Sequence, residues 1–340
     1  MDQINKRIID AIIDKAKREC PDSLALIGVY GSALTGDTHT HSDLDLLILI
    51  NDQKGRCLAD AFILDDLQIG YDLYCTTWEM LENDARCNQA FLSKLMDSSL
   101  VYTNDNSLVD RLEKIRAKTK HILASDQRKE KAFEILSLAK IAYADCCLAD
   151  TLSEVRVQAG EVIYQLLNCI MIYHGRYFKK GVKRTFDELF SLNLPYDIKA
   201  LVMSVISSES VENIRQSLDV LMKTVIQHMS FKQERIEHTA QTLSGTYEEM
   251  FSNWRNKMHE ANQNNDLFSS FSNLVSFQLM LNDIGASIDV IKDFDCNDLY
   301  GNAIAYDNAL TEYWNLYKNV GITPKIFKNA DEFISAYLNK

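Results

Sequence analysis

Glycine and proline are scarce in this sequence. Its 340 residues include 12 glycines and 3 prolines, which together make up about 4% of the chain where roughly 12% is average. Such a composition leaves little room for the turns of an all-β protein. With 46% hydrophobic and 25% charged residues, the chain also differs from disordered proteins, which have few hydrophobic residues. We therefore predict a folded protein with long helices.

Cysteine motifs and long apolar runs are missing as well. The eight cysteines form no Cys-x-x-Cys pair, so we predict reduced thiols and neither a disulfide framework nor a zinc site. The N-terminus is charged throughout and lacks the apolar run of a signal peptide. The longest uncharged stretch, 267–282, has 16 residues, fewer than a bilayer requires. These features favour a cytoplasmic protein that does not enter a membrane.

Positive charge is also in short supply, most of all near the N-terminus. The chain has 36 basic and 48 acidic residues, a net charge of −12. Residues 1–115 have 11 basic and 20 acidic side chains, so their net charge is 11 − 20 = −9. A surface this acidic repels a polyphosphate backbone. The charge distribution therefore disfavours a nucleic-acid partner.

The spacing of hydrophobic residues changes character near residue 106. Before it, helices and strands are mixed: the spacing predicts a helix over 2–19, a helical turn within 31–36 and a helix from Thr77. Strands are predicted at 24–30, 44–50, 61–64, 68–75 and 100–102. Beyond it the pattern is helical, over 106–123, 128–151, 154–178, 210–230, 267–283 and 303–319.

This change of pattern predicts an α+β protein, in which a small domain with a mixed sheet is followed by a mostly α-helical bundle region. We place the sheet domain at 1–115 and the helical bundle at 116–240. Residues 241–340 form a C-terminal helical region, which is either separate or continuous with the bundle.

The residues that suit phosphate and metal binding lie around two of the predicted strands. Gly31 lets the backbone approach a phosphate, which the following N–H groups and the Ser32 hydroxyl hold. Asp43 and Asp45 share one face of the next strand, because residues i and i+2 point the same way. Their oxygens favour Mg²⁺ or Mn²⁺, which relieves the repulsion between two carboxylates. With Asp72 on a later strand, they predict a two-metal site for phosphoryl or nucleotidyl transfer.

Other motifs point to structure and not to chemistry. Residues 31–36 resemble a phosphate-binding P-loop, but Asp37 occupies its lysine position. The acidic residues from Asp293 to Asp298 resemble the start of an EF-hand loop but lack its glycine and its final glutamate, so we interpret them as a helix cap. His39 and His41 are interpreted as loop residues. A stripe of aromatic residues along 306–317 has helical spacing and predicts packing.

The motif of Gly31-Ser32, then Asp43-x-Asp45, then Asp72 resembles that of the DNA polymerase β-type nucleotidyltransferase superfamily. A catalytic domain followed by helices is most similar to the antibiotic nucleotidyltransferases, which act on aminoglycosides and lincosamides. The resemblance implies that Gly31 and Ser32 bind the phosphates of a nucleoside triphosphate. It implies that Asp43 and Asp45 hold the metal ions, and that Asp72 completes the second metal site or acts as a base.

The resemblance also implies a general base from the helical region. Glu161 is our candidate because it lies off the apolar stripe of its helix, with Glu134 and Asp145 as alternatives. The basic run 174–184 is either a helix C-terminus, with Gly175 or Gly181 as its cap, or a cationic wall for the triphosphate. From that run we select Lys179 and Lys183 as nucleotide-binding residues.

The implied activity is metal-dependent transfer of a nucleoside monophosphate, AMP from ATP, to a hydroxyl of a small molecule, with release of pyrophosphate. An aminoglycoside- or lincosamide-like antibiotic is the implied acceptor. Two alternatives stay open: an enzyme that adenylylates a protein or extends RNA, and a non-catalytic, antitoxin-like partner with the same fold. The spacing from Arg116 to His121 fits a ribonuclease motif of toxin-like helical domains, although chance also produces such a match.

Overall fold

The chain folds into two compact units, Met1–Met229 and Ser230–Lys340. The computed structural model describes residues 3–36, 44–229 and 238–338, without the side chains of residues 252 and 253. The predicted residues His39, His41 and Asp43 lie outside the described residues. The domain boundaries expected after residues 115 and 240 remain predictions.

The first unit begins with mixed strands and helices and continues with helices. Its strands are β1 (Leu24–Val29), β2 (Leu46–Ile50), β3 (Asp60–Leu64), β4 (Ile69–Leu73), β5 (Cys75–Thr77) and β6 (Ser99–Thr103). Its helices are α1 (Gln3–Glu19), α2 (Ser32–Thr35), α3 (Trp78–Asp84), α4 (Ser93–Met96), α5 (Asn106–Ala124), α6 (Gln127–Leu148), α7 (Leu152–Tyr173), α8 (Thr185–Phe190), α9 (Ile198–Ile206) and α10 (Val211–Met229). Two 3₁₀ turns, Gln53–Leu58 and Val182–Arg184, connect neighbouring elements.

A four-stranded mixed sheet in the order β5-β2-β1-β6 forms the centre of the N-terminal part. β1 is antiparallel to β2 and β6, and β2 is parallel to β5. All residues of β1 and β2 are buried, which explains their uninterrupted hydrophobic sequences. Ile48 and Ile50 pack in a cluster with α1, and Leu47 and Leu49 pack in a cluster with α3 and α5. The sheet is therefore covered on both faces.

The predicted strand over 68–75 is divided between two sheets. β4 forms an antiparallel hairpin with β3, in which Asp60 faces Leu73 and Leu64 faces Ile69. β5 then joins the central sheet beside β2. Tyr74 separates the two strands and is exposed. The chain thus passes from the hairpin to the main sheet within two residues, a change that local hydrophobic spacing does not reveal.

The helical part of the first unit has its own core. α6 and α7 pack against each other along their lengths, and α10 packs on α7 and α9. Small residues of α6, among them Ala132, Ala139 and Ala142, face the large aliphatic residues of α7. Thr151 begins α7 with a capping box, in which its side chain and that of Glu154 each bond the other residue's backbone N–H.

The second unit is helical within its described residues. Its helices are α11 (Ala240–Leu243), α12 (Thr246–Glu249), α13 (Asn256–Gln263), α14 (Leu267–Asp283), α15 (Leu299–Asn319) and α16 (Ala330–Leu338), with a π-helical segment at Met250–Arg255. The aromatic stripe predicted to pack does so: Tyr306, Tyr313 and Tyr317 are fully buried. Asp298 caps α15 by accepting the Gly301 N–H, which confirms the interpretation of the EF-hand-like segment as a helix cap.

Two further predictions concern cysteines and membranes. All eight cysteines are free thiols, as the absence of paired motifs predicted. Among the residues that the structure describes, none of the helices combines the length and the apolar surface needed to cross a membrane. The predicted location in the cytoplasm is not tested by this finding and stays a prediction.

Candidate active site

Gly31 forms a tight turn between β1 and the short helix α2. Its φ of 69° and ψ of −143° belong to a region that residues with a side chain rarely occupy. A β-carbon at residue 31 would overlap the Oδ2 atom of Asp45 and lie 2.7 Å from its Cγ. The backbone bond from Tyr30 N to Asp45 O, 3.1 Å long, joins the two segments. Glycine is therefore required for the Asp45 carboxylate to lie directly against the turn.

A cavity of about 550 Å³ opens at this turn. Gly31, Ser32 and Asp45 line one part of it, and Lys179 and Lys183 line another. The structure thus brings together five of the predicted site residues from two distant parts of the sequence. The remaining lining residues are Tyr30, Thr35, Phe91, Ser93, Lys94, Lys180, Gly181 and Val182.

The charges around the cavity are mainly positive. Four lysines and one aspartate are among its lining residues, so it attracts an anion more strongly than a cation. Lys94 is held 3.7 Å from the Asp84 carboxylate. Burial raises the pKa of Asp84 above its usual value, although the neighbouring Lys94 opposes that shift.

Three contacts fix the basic segment from Tyr177 to Lys183, which carries these lysines. The Phe178 N–H donates to Ala90 O at 2.8 Å, and the Phe178 ring is buried. The Tyr177 hydroxyl donates to Asp97 Oδ1 at 2.7 Å. The Lys179 and Lys180 N–H groups donate to the two oxygens of the Glu188 carboxylate. The segment is therefore ordered against the cavity by groups that lie outside it.

The alternative interpretation of the basic run, as a helix C-terminus, applies to its first residues and not to the lysines that line the cavity. α7 ends at Tyr173, and Gly175 follows with a φ of 66°, as expected of a glycine cap. The lysines begin four residues later, beyond the helix, at the cavity. Helix termination and a cationic wall thus occupy successive parts of the same run.

Asp72 lies on β4 and is exposed, outside the lining of the cavity. Its neighbours Tyr71 and Leu73 pack in the same hydrophobic cluster as Leu44 and Leu46. Because side chains alternate along a strand, Asp72 and Asp45 both project away from that cluster. β2 begins at Leu46 and not at Leu44 as predicted, so Asp45 immediately precedes the strand.

Comparison with known proteins identifies the N-terminal part of the chain. Residues 9–126 match the family model described as nucleotidyltransferase domain. Over these residues the chain is similar to nucleotidyltransferase domains. The predicted fold class is confirmed, because this mixed-sheet domain is followed by a mostly helical region.

A solved structure with partial similarity to this chain is that of a nucleotidyltransferase-like protein from Exiguobacterium sibiricum 255-15. The two are 12% identical, with a TM-score of 0.39, and the similarity covers 83% of this chain and 89% of the other. None of the curated proteins matches the sequence.

Glu161, the candidate base, lies on α7, beyond the residues 9–126 that match the family model. It is exposed, accepts a 2.7 Å hydrogen bond from Gln165 Nε2 and does not line the cavity. One turn further on, Tyr164 stacks on Phe91, which is a lining residue. Of the alternatives, Glu134 is paired with Lys131 at 2.7 Å and Asp145 is exposed.

Arg116 has a structural role in the N-terminal part of the first unit. Its Nε donates to Leu95 O at 2.8 Å, and its Nη2 donates to Ser98 O at 2.7 Å. These bonds join α5 to α4 and to Ser98, the residue before β6. The Arg116 guanidinium thus binds backbone carbonyls. This structural role explains the presence of Arg116 without a ribonuclease motif that includes His121.

Several residues of the cavity were not selected from the sequence. Lys180 belongs to the basic run 174–184, and this run is the sequence feature from which it could have been selected. Lys94, Ser93 and Phe91 come from α4 and the preceding loop, and no motif marks them. Glu188, which holds the backbone of the basic segment, lies on α8 and likewise has no motif.

Proposed function

We propose that this protein is a metal-dependent nucleotidyltransferase that moves AMP from ATP to a hydroxyl of a small molecule and releases pyrophosphate. One observation carries the proposal: a single cavity combines the Gly31-Ser32 turn, the Asp45 carboxylate and the Lys179–Lys183 segment. A triphosphate needs backbone N–H donors and cations, and a metal-bound phosphate needs carboxylates beside them. The nucleotidyltransferase domain match supports the same reaction class.

The carboxylates fit a divalent cation by their chemistry and their placement. Asp45 lies in the cavity. Asp72 lies on β4, and the chain passes from β4 into β5, which pairs with β2, the strand that begins directly after Asp45. We propose Asp72 as a second ligand. Asp43, outside the described residues, is the third proposed ligand.

Mg²⁺ or Mn²⁺ held by these residues would neutralise charge that develops on the phosphoryl oxygens. The Gly31 turn and Ser32 bind the β- and γ-phosphates, and Lys179 and Lys183 bind the triphosphate and then the departing pyrophosphate. Glu161 accepts the proton of the acceptor hydroxyl, whose oxygen attacks the α-phosphorus in line with the leaving group. An aminoglycoside- or lincosamide-like antibiotic is the proposed acceptor.

Calorimetric titration with non-hydrolysable ATP and GTP analogues tests the nucleotide site. The wild-type protein is expected to bind the ATP analogue with a dissociation constant in the range of about 1 μM to 1 mM, and only with Mg²⁺ present. Asp45→Asn and Asp72→Asn should each weaken this binding by about 10- to 100-fold. Asp66→Asn, an exposed residue of the β3–β4 hairpin, is the matched control and should bind as the wild type does.

The acceptor is then sought by measuring pyrophosphate release with aminoglycosides and lincosamides. Release that requires both Mg²⁺ and one of these compounds supports the proposed acceptor, and Glu161→Gln should slow it by about 10²-fold or more. Labelling of a protein or RNA would replace the small-molecule acceptor with a macromolecule. A folded wild-type protein that binds neither analogue would contradict the proposal and favour the non-catalytic alternative.

A further inference from the structure

The basic segment at the cavity depends on a carboxylate that does not itself reach the cavity. Glu188, on α8, accepts the N–H groups of Lys179 and Lys180 with its Oε2 and Oε1 atoms, at 2.9 Å and 3.0 Å. Two oxygens of one carboxylate therefore bind two successive backbone donors. Glu188 is half-buried and is not among the lining residues.

The geometry matters because the segment concentrates positive charge. Lys179, Lys180 and Lys183 occur within five residues and all line the same cavity. Like charges so close together repel, which favours conformations that carry the lysines apart and into solvent. The negative charge of Glu188 opposes this repulsion, and its hydrogen bonds fix the backbone from which the side chains extend.

Other contacts of the segment lie before Lys179 or after Lys183. Phe178 and Tyr177 anchor the chain before the lysines, through Ala90 O and Asp97. Arg184 pairs with Asp187 at 3.2 Å, after them. Between these two points, Glu188 is the partner of the Lys179 and Lys180 backbone.

We propose that Glu188 is a positioning residue for the triphosphate: it holds Lys179 and Lys180 in the conformation in which they face the phosphates. The inference rests on the proposed function, since it concerns the same nucleotide site. Glu188 acts through the backbone of the lysine segment and does not touch the substrate.

Replacement of Glu188 by glutamine distinguishes the positioning of the lysines from a general contribution to the stability of the fold. In Glu188→Gln the charge is lost, and the amide has one acceptor oxygen for two N–H donors. We expect its dissociation constant for the ATP analogue with Mg²⁺ to rise about tenfold, as for the loss of one charged hydrogen bond. Affinity for AMP should change by less than about twofold, because AMP lacks the β- and γ-phosphates. Glu212→Gln, an exposed glutamate on α10, is the control for glutamate removal.

A double-mutant cycle with Lys179→Met tests whether Glu188 acts through the lysines. If it does, Lys179→Met should weaken binding about tenfold in the wild-type background and less than about threefold in Glu188→Gln. Additive losses, or equal losses for ATP and AMP, would overturn the positioning role. So would unchanged ATP-analogue binding by a folded Glu188→Gln protein.

If Glu188→Gln fails to fold, Glu188→Asp replaces it in the titration. Its shorter side chain keeps the charge but cannot reach both N–H groups, so we expect a loss of about threefold for the ATP analogue. Wild-type affinity in the folded Asp variant would overturn the inference. By contrast, a wild-type protein that binds no nucleotide would overturn the proposed function itself.

Discussion

Gly31 and Asp45 are packed so closely that residue 31 has no room for a side chain. The turn at Gly31 has a positive φ, and the space where a β-carbon would lie is taken by the Asp45 carboxylate. Gly36, at the other end of α2, also has a positive φ, of 70°, but among the described residues no heavy atom lies within 4 Å of its added β-carbon. The two glycines therefore share a backbone requirement and differ in what surrounds them.

This difference predicts distinct effects of the same substitution. Gly31→Ala should destabilise the protein by about 1–3 kcal/mol and abolish detectable binding of the ATP analogue, because Asp45 is displaced. Gly36→Ala should cost about 1 kcal/mol and leave the affinity unchanged. Thermal unfolding and calorimetry on both variants check this. Equal affinities for the two variants would contradict the role given to the Gly31 turn.

Two histidines of the first unit, His174 and His228, lie in contact with each other. His174 and His228 approach each other with Nε2 atoms 3.1 Å apart and stacked rings, with Tyr173 and Tyr196 beside them. Burial lowers the pKa of both, and for His174 the neighbouring His228 and Arg128 add to the effect. A hydrogen bond between two neutral rings needs one donor and one acceptor, so protonation of both rings breaks it.

The stability of the protein should therefore fall as the pH falls. A histidine whose pKa is lowered by folding binds protons more readily when unfolded, so the stabilisation is complete above about pH 6.5 and decreases below it. We expect a lower unfolding temperature at pH 5.5 than at pH 7.5. The difference should be smaller in His228→Gln and unchanged in His121→Gln, an exposed histidine at the end of α5. A His228→Gln protein with the wild-type pH dependence would contradict this assignment.

At the level of elements, the segment between α7 and α8 is the part of the cavity with the greatest positive charge. Lys179→Met is expected to weaken binding of the ATP analogue about tenfold and to reduce its dependence on salt concentration, since screening acts on the lost charge. Lys199→Met is a matched control, because Lys199 lies on α9 over the Phe186 ring and outside this cavity. Titrations at low and high salt measure both effects. An equal loss of affinity in the two variants would show that the net charge of the protein, and not the position of Lys179, determines binding.

The long elements were predictable because their sequences repeat one period. β1 and the helices α5, α6 and α10 were predicted close to their observed bounds, whereas the helix predicted over 154–178 ends five residues earlier, at Tyr173. Thr77 caps α3 by accepting the Met80 N–H, as its position before the helix indicated. The short helices α4, α8 and α9 were not predicted, because four to nine residues give too little repetition to establish a period.

The candidate site was predictable where one stretch of chain supplies it. Gly31, Ser32 and Asp45 share a local motif, and its spacing already places them together. Phe178 N and Ala90 O lie 88 residues apart in the sequence, and this contact brings the lysines to the motif. No local pattern encodes such a pairing. Lys94 and Glu188 were missed for the same reason.

For the whole molecule, the division of the hydrophobic core predicts independent folding. Three clusters of buried hydrophobic residues lie entirely within 1–229, and the fourth lies within 243–322. A fragment that ends at Met229 should therefore fold cooperatively and bind the ATP analogue within roughly twofold of the full chain. Unfolding and titration of the fragment measure this. A fragment that folds but binds no nucleotide would assign part of the site to the second unit.

The residues that line the cavity come from separate stretches of the sequence, and mutations can change these stretches independently. The nucleotidyltransferase domain match ends at residue 126, whereas the lysines that line the cavity lie at 179–183. Under the proposed function, substitutions in the later stretch would alter how tightly a polyphosphate is held while the Gly31 turn and the Asp45 carboxylate stay intact. Descendants of one ancestral motif can thus diverge in the donor they accept, and the motif alone does not identify that donor.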